Sequence, residues 1–412
     1  MSDPKRFPVN QSTAFKPLGI MQGFPPPPDK RITLDNWDRP PFNRWSFQNV
    51  RSVLPTRAIA RGTAPASAFG QAQQDILPIV FADIDGERRS VAEMLDRTYT
   101  DGFMVLRDGK IVAEHYLNSM TPASLHLSQS VSKSFVGAMV GILAGRGELN
   151  LNAELSHYVP ELAATGYAGA TLTQVLDMRS GVRFSEDYLD PNCEMGQLDR
   201  ADGWKPGPRP GEPASTYDLI LTLRQERPHG GYFQYRSIET DVLGWVLERV
   251  SGLGLAELMS RELWQPMGAE SEACFTVDQA GTCLADGGLN ATMRDYARFG
   301  QIFLDDGFLN GRQIVPAAWT AACRTGDVAA YQHLYRERRP TYPDACYSRQ
   351  WWVYDFASGL HCASGVFGQL IYVRPRERIV AVKLSTWPDF LRDDLHASTM
   401  AALEAITLEI AR

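Results

Sequence analysis

The fold is decided by the stretch Leu125-His126-Leu127-Ser128-Gln129-Ser130-Val131-Ser132-Lys133 and by SFVGAMVGIL, which follows it at residues 134–143. The part after Lys133 is apolar and rich in Gly and Ala, which predicts a buried helix packed closely on its neighbours. The spacing of i and i+3 places Ser130 and Lys133 on one face of this helix. Ser130 then lies at the helix N-terminus, where free N–H groups and the helix dipole favour developing negative charge.

A serine next to a buried lysine suggests covalent acyl transfer, with Ser130 as nucleophile and Lys133 as its base. Burial should lower the pKa of Lys133, so that the neutral amine can accept a proton. The alternative is an N-capping serine followed by a surface lysine, because serine caps helices readily. The apolar helix that follows argues for the catalytic interpretation.

Two further segments supply possible partners. The segment GYFQYRS at residues 231–237 precedes a predicted helix over 240–250, and a tyrosine on such a turn could shuttle protons for a serine–lysine pair. The Gly-rich segment ASGVFG at residues 363–368 opens a predicted strand, where a backbone N–H can face an oxyanion. The alternatives are a core or interface aromatic residue in the first segment and simple turn glycines in the second.

The flanks of this central region are rich in strands. Asp108-Gly109 separates two apolar runs, 103–106 and 111–116, which predicts a β-hairpin. The runs 369–373 and 379–384 predict a second β-hairpin near the C-terminus. The last residues show helical periodicity. We therefore predict an α/β (α+β) fold, an antiparallel sheet flanked by helices with an inserted helical domain. The predicted parts are a proline-rich arm (1–45), a sheet domain (46–145 and 290–412) and a mainly helical insert (146–289).

Composition excludes several classes. The 412 residues carry a formal net charge of −7, and no basic stripe exists for a nucleic acid. No apolar run approaches the roughly 20 residues of a membrane span, and the N-terminal residues contain no secretory signal. The six scattered cysteines form no C-x-x-C pair and the histidines no metal-ligand spacing. We expect a cytoplasmic protein without metal or cofactor.

The motifs and many longer stretches resemble the serine β-lactamase superfamily. Within it the chain is most similar to the 6-aminohexanoate-dimer (nylon-oligomer) hydrolases and the β-lactamase-like carboxylesterases. The resemblance runs over residues 30 to 410. It is carried by LDNW (34–37), PPFNRW (40–45), SVSKS (130–134), YVPEL (158–162), VLDM (175–178), EDY (186–188), FQY (233–235), RQWW (349–352) and VKLSTWP (382–388).

The resemblance implies a role for each matching position. Ser130 is the nucleophile, Lys133 the base and Tyr235 the group that protonates the leaving group. The backbone N–H groups of Ser130 and Val366 form the oxyanion hole. Substrate-binding roles are implied for Tyr188, on a loop that closes over the substrate, for Asp199, which faces a substrate ammonium, and for Asp286, which tunes activity. Asp199 could instead be a solvated acid, and Asp286 part of an ordinary Asp-Gly-Gly turn.

Two departures from the superfamily pattern narrow the expected substrate. Ser237 replaces the asparagine that ends the second motif, and Ala363 replaces the cation that begins the third. Without that cation, anionic antibiotics should bind poorly. We therefore expect a small-molecule amidase or esterase acting on linear acyl compounds. The alternative is a short-chain carboxylesterase with little amidase activity. The resemblance also implies a homodimer.

Overall fold

An eight-stranded sheet forms the centre of the computed structural model, which describes residues 18–335, 342 and 344–411. Residues 1–17 of the predicted arm lie outside this range. The strands are β1 (Thr56–Ile59), β2 (Gly70–Gln71), β3 (Val80–Ala82), β4 (Arg88–Ser90), β5 (Thr100–Arg107), β6 (Lys110–Tyr116), β7 (His126–Leu127), β8 (Ala273–Thr276), β9 (Leu289–Ala291), β10 (Phe308–Leu309), β11 (Arg312–Gln313), β12 (Cys346–Ser348), β13 (Trp351–Asp355), β14 (Leu360–Gly365), β15 (Gln369–Arg374) and β16 (Ile379–Ser385).

The helices lie mostly between β7 and β12 and after β16. They are α1 (Asn43–Ser46), α2 (Val91–Arg97), α3 (Ser132–Gly145), α4 (Leu172–Leu176), α5 (Glu194–Ala201), α6 (Thr216–Thr222), α7 (Ile238–Ser251), α8 (Leu255–Met259), α9 (Met293–Leu304), α10 (Ala317–Ala322), α11 (Val328–Tyr335) and α12 (Asp393–Ile410). Among the described residues, no helix is both long and apolar enough to cross a membrane.

Strands from both ends of the chain share the central sheet, in the order β12-β13-β14-β15-β16-β5-β6-β2. Neighbours pair antiparallel except β2, which runs parallel to β6. The predicted antiparallel sheet and both predicted hairpins are therefore confirmed. Asp108 and Gly109 both have positive φ (50° and 69°), as a two-residue hairpin turn requires.

Helices cover both faces of the sheet because its strands alternate between two apolar cores. On β5, Met104 and Leu106 face the core that contains α3, α7 and α9, whereas Phe103 and Val105 face the core that contains α2 and α12. This layered arrangement confirms the predicted fold class. The division into an arm, a sheet domain and an insert stays a prediction.

A second sheet of four short strands, β1-β8-β9-β7, was not predicted. The sequence analysis described the region between the two strand-rich ends as mostly helical, but β8 and β9 lie within it. Their registers place β7 beside β9, and Ser128 N donates to Leu289 O at 2.8 Å. This sheet therefore holds the segment that leads directly into Ser130.

The segment before β1 packs onto the body of the molecule. Trp37 is fully buried, lies against the rings of Phe47 and Trp204, and donates its Nε1–H to Trp204 O at 2.8 Å. The next residue, Asp38, is also buried. Through Asp38, this segment contributes to the wall of a cavity next to Ser130.

Candidate active site

The turn that carries Ser130 is tightly constrained. A 3₁₀ turn over Gln129–Val131 continues directly into α3, and Gln129 has φ of 49°, which is uncommon for a residue with a side chain. Gly365 packs on this turn, since a Cβ there would lie 2.7 Å from Ser128 O and 3.0 Å from Ser130 N. Ser130 itself remains partly exposed.

Lys133 lies one turn further along α3 and is almost fully buried. Its Nζ donates to Ser130 Oγ at 3.0 Å and to the carbonyl oxygen of Asp286 at 2.7 Å. The Asp286 carboxylate is 3.8 Å from the same Nζ. The lysine therefore bridges the serine and the 285–288 turn.

The expected lowering of the Lys133 pKa is wrong. Burial does act to lower the pKa, but Tyr235, Asp286, Glu186 and Asp241 together outweigh burial and raise the pKa above its usual value. The resting side chain is accordingly an ammonium ion at neutral pH. The sequence could not show this, because the acidic groups come from three separate segments.

Tyr235 completes a triangle with Ser130 and Lys133. Its hydroxyl is hydrogen-bonded to both side chains, and Lys133 Nζ lies 5.3 Å from the centre of its ring. Trp352 stacks on the other side of the ring, with 5.3 Å between ring centres and an angle of 18°. Burial raises the pKa of Tyr235 to about 12, although Lys133 acts to lower it, so the phenol keeps its proton at neutral pH.

Val366 lies directly after Gly365, at the end of β14 and the start of a 3₁₀ turn over Val366–Gly368. Because Gly365 lies against the backbone of Ser130, the N–H groups of Ser130 and Val366 belong to adjacent segments. Both residues border the same two cavities. The structure thus brings together the two residues predicted for an oxyanion hole.

A carboxylate that the sequence analysis assigned no role, Glu186, organises the opposite wall. It accepts hydrogen bonds from Ser237 N and Ser237 Oγ, both at 2.7 Å, and from the Tyr188 hydroxyl at 2.5 Å. Tyr188 also stacks on Phe390, with ring centres 5.2 Å apart. Ser237, which stands where the superfamily has asparagine, therefore anchors the Tyr188 loop. Glu186 was part of the EDY stretch that carries the family resemblance, but no local pattern identifies Ser237 as the hydrogen-bond partner of Glu186.

Asp286 lies beside Lys133 rather than on an exposed turn. Asp241 on α7 holds this turn, because its Oδ1 accepts from Ala285 N at 3.0 Å and from Asp286 N at 3.2 Å. Burial raises the pKa of Asp286, and Lys133 acts in the opposite direction. Asp286 therefore both orients the lysine and contributes to the site's negative charge.

Two cavities of very different size meet at Ser130. The wide one has a volume of about 630 Å³ and is bordered by Tyr235, Trp352, Tyr354 and residues of α12. The narrow one, of about 30 Å³, is bordered by Asp38, Asp199, Asp286, Trp204 and Phe390. Ser130, Tyr188, Val366 and Phe390 border both. The wide cavity has the size of a small-molecule site, and the narrow one admits a single small polar group.

Asp199 on α5 borders the narrow cavity and is partly exposed. Burial raises the pKa of Asp199 to about 7; Lys205 opposes this effect, and Asp38 and Asp286 add to it. Asp38 had no predicted role, because no local pattern indicates that this residue reaches the site.

Comparisons with known proteins identify the family to which the chain is similar. A family model described as Beta-lactamase matches residues 88–405. The chain is 38% identical over 358 residues to a 6-aminohexanoate-dimer hydrolase of Paenarthrobacter ureafaciens, covering 87% of this chain and 88% of that protein. A Bacillus anthracis protein provisionally described as a 6-aminohexanoate-dimer hydrolase superposes with a TM-score of 0.85 at 27% identity, over 93% of this chain and 98% of that one.

More distant structures share the fold alone. One is a family VIII carboxylesterase, with a TM-score of 0.54 at 16% identity over 74% of this chain and 92% of that one. Another is EstCE1, described as a hydrolase with promiscuous acyltransferase activity, with a TM-score of 0.57 at 15% identity over 74% and 98%.

Proposed function

The chain belongs to the beta-lactamase family and is a hydrolase, and from that premise we propose that Ser130 carries the substrate's acyl group as an ester during cleavage of linear amides or esters. The observation that supports this most directly is the contact of 3.0 Å between Lys133 Nζ and Ser130 Oγ. Tyr235, hydrogen-bonded to both, supplies a second proton carrier.

The proposed reaction has two halves. Ser130 Oγ attacks the carbonyl carbon and its proton passes to the neutral amine of Lys133, while the N–H groups of Ser130 and Val366 stabilise the oxyanion. The C–N or C–O bond then breaks, and Tyr235 protonates the leaving amine or alcohol and is reprotonated by Lys133. In the second half, water attacks the acyl-serine and gives its proton to the same pair. The bond between the acyl carbon and Ser130 Oγ then breaks, Oγ takes that proton back, and the acid leaves.

The two cavities suggest how a substrate is oriented. Tyr235 borders the wide cavity and not the narrow one, so we place the leaving group in the wide cavity. The acyl group then points towards the narrow cavity and Asp199. A linear acyl chain that ends in a small polar group suits this arrangement, and the 6-aminohexanoyl group named in the relative's description is one such chain.

A panel of three substrates tests the proposal. We expect wild type to hydrolyse a p-nitrophenyl short-chain ester and the linear 6-aminohexanoate dimer, and to be poor on a chromogenic cephalosporin. Ser130→Ala should lower kcat/KM on the first two at least a thousandfold with an unchanged melting temperature. Ester hydrolysis retained in full by Ser130→Ala would refute the acyl-enzyme on this residue.

The alternative function is a short-chain carboxylesterase with little amidase activity. Under this alternative the acyl group is short and apolar and ends against the aromatic side chains of Trp204 and Phe390, whereas Asp199 favours acyl groups that carry an amine. Asp199→Asn should impair the amine-bearing dimer far more than the p-nitrophenyl ester. Equal losses on both substrates would support the esterase alternative.

We also propose a cytoplasmic homodimer that needs no metal or cofactor. All six cysteines are buried without a disulfide, which suits a reducing compartment. Light scattering after size exclusion should give twice the 45.9 kDa chain mass. A mass of one chain at micromolar concentration would refute the dimer.

A further inference from the structure

We propose that the side-chain amide of Gln129 determines substrate specificity by binding the polar end of the acyl chain in the narrow cavity, together with Asp199. The end group that suits this pair is a primary ammonium, which donates one of its N–H groups to Gln129 Oε1. This inference rests on the proposed function, because it assumes that the acyl chain ends in the narrow cavity. The Gln129 side chain takes no part in breaking the amide or ester bond.

The Gln129 side chain is buried without a hydrogen-bond partner. Gln129 is only 5% exposed and borders the narrow cavity. Its backbone is engaged, since its carbonyl oxygen accepts from Ser132 N and, at 3.1 Å, from Ser128 Oγ. The side-chain amide, in contrast, makes no hydrogen bond with any residue that the structure describes. A polar group that enters the cavity can therefore bond to this amide at no cost to an existing contact.

The backbone fixes where the amide lies. Gln129 has φ of 49° in the short turn directly before Ser130, and such a φ is uncommon for a residue with a side chain. Strained conformations of this kind concentrate at functional sites. Gly287 borders the same cavity, and a Cβ there would lie 3.9 Å from Gln129 Oε1 and 3.4 Å from the Trp204 ring. The absence of that Cβ leaves the space next to Oε1 open.

A second side chain without a partner borders the same cavity. The Asp199 carboxylate accepts no hydrogen bond from the described part of the chain, and only its backbone carbonyl is used, by Lys205 N at 2.8 Å. The neighbouring Asp38 carboxylate, by contrast, accepts from Lys205 Nζ at 2.5 Å. Gln129 and Asp199 are therefore both available to a ligand in the narrow cavity.

The chemistry of this pair favours a primary ammonium. Such a group carries three N–H donors, and the Asp199 carboxylate and the Gln129 amide oxygen can accept from two of them. The negative charge of Asp199 favours a cation over a neutral hydroxyl group. The cavity of about 30 Å³ has room for one group of this size. Because the terminal ammonium is bound equally in the ground state and the transition state, we expect Gln129 to act mainly on KM.

The experiment compares methyl hexanoate with methyl 6-aminohexanoate, which differ only in the terminal ammonium. Gln129→Met keeps the length of the side chain but removes the acceptor. We expect this variant to lower the ratio of kcat/KM for the cationic over the neutral ester about tenfold, through a higher KM for the cationic ester. Gln129→Glu keeps an acceptor oxygen and should hold the ratio at or above the wild-type value.

Two further variants complete the design. Asparagine adopts a positive φ more readily than most residues but is one methylene shorter than glutamine. Gln129→Asn should therefore also lower the ratio, which keeps the test valid if Gln129→Met folds poorly. Gln71→Met, at an exposed glutamine on β2, is the matched control and should leave the ratio unchanged.

The outcomes separate the two proposals. If Ser130→Ala hydrolyses methyl hexanoate like wild type, the proposed function fails. If hydrolysis depends on Ser130 but Gln129→Met and Gln129→Asn keep the wild-type ratio, only the role of Gln129 is overturned. That role is also overturned if Gln129→Glu lowers the ratio as much as Gln129→Met, or if all three variants lose the hydrolysis of methyl hexanoate, because the residue then acts only on the structure of the turn.

Discussion

Single residues in this molecule differ in whether burial or neighbouring charge controls their protonation. Lys133 and Lys383 are both almost fully buried lysines that contact a serine hydroxyl. Acidic neighbours raise the pKa of Lys133, whereas burial lowers the pKa of Lys383 to about 7 with only Asp101 opposing. The position of the acids, and not burial alone, therefore decides which lysine is charged.

The charged state of Lys133 predicts a pH profile. Because the folded enzyme holds this pKa above 10.5, the neutral amine that accepts the serine proton becomes more abundant throughout the range from pH 6 to 10. We expect kcat/KM for an uncharged alkyl ester to increase over that range. A pH-stat assay corrected for spontaneous hydrolysis measures this rate. A plateau that begins near pH 7 would instead indicate the lowered pKa expected from burial.

Lys383 predicts how stability depends on pH. The unfolded lysine has a pKa of about 10.4, so between pH 7 and pH 10 the unfolded state binds more protons than the folded state, and stability increases with pH. Lys383→Met should abolish this dependence and stabilise the protein by about 1–3 kcal/mol at pH 6. Urea unfolding at pH 6 and pH 9 measures both effects. Parallel changes with pH in variant and wild type would contradict the assignment.

Among elements, α12 combines a structural and a functional surface. Leu403, Ile406 and Ile410 pack into the core beneath the sheet, while Ala397, Met400 and Ala401 border the wide cavity. The helix therefore forms part of the surface on which a leaving group would lie.

Filling the wide cavity from α12 should change leaving-group selectivity. We expect Ala397→Trp to lower kcat/KM for a naphthyl ester about tenfold or more while a methyl ester of the same acid changes less than twofold, because only the large group needs that space. Leu408→Trp, at an exposed position on the same helix, is the control. Equal losses on both esters would show that the leaving group does not lie against α12.

The sequence predicted those elements whose signals are local. The hairpin at Asp108-Gly109, the periodic helix α12 and the small-residue helix α3 each follow from residues adjacent in the chain. Gly141 illustrates why α3 needs small residues, since a Cβ there would lie 2.4 Å from the Trp319 ring. The four-stranded sheet could not be predicted, because its strands have two to four residues and two of its three pairings, β1 with β8 and β7 with β9, join segments far apart in the chain.

For the site, too, the sequence predicts what is local in the chain and misses contacts between distant segments. Ser130 and Lys133 could be located from an i, i+3 pattern, and Tyr235, Val366, Tyr188, Asp199 and Asp286 only from resemblance. Glu186, Asp38 and Lys205 act through partners that are distant in sequence: Glu186 bonds Ser237 51 residues away, and Lys205 bonds Asp38 167 residues away. No local pattern records such pairs.

For the whole molecule, the N-terminal segment links folding to the site. Trp37 is fully buried next to Asp38, so we expect Trp37→Ala to cost about 3–5 kcal/mol of stability. The same change should shift Asp38 and lower activity on cationic and neutral esters alike. Phe24→Ala, at a fully exposed ring, should alter neither, and thermal melting with ester kinetics measures both. Wild-type stability in Trp37→Ala would contradict the packing role.

The sharing of one sheet by both ends of the chain has a consequence for biosynthesis. Asp101 on β5 bonds Thr386 just beyond β16, 285 residues later, and β5 lies between β6 and β16 in the finished sheet. At about 5–20 residues per second, a ribosome needs roughly 15–60 s to produce the second partner. During that interval one edge of the β5–β6 hairpin is unpaired on the nascent chain. The central sheet can therefore close only when translation is nearly complete, and until then the nascent chain exposes an unpaired strand edge that can pair with other chains.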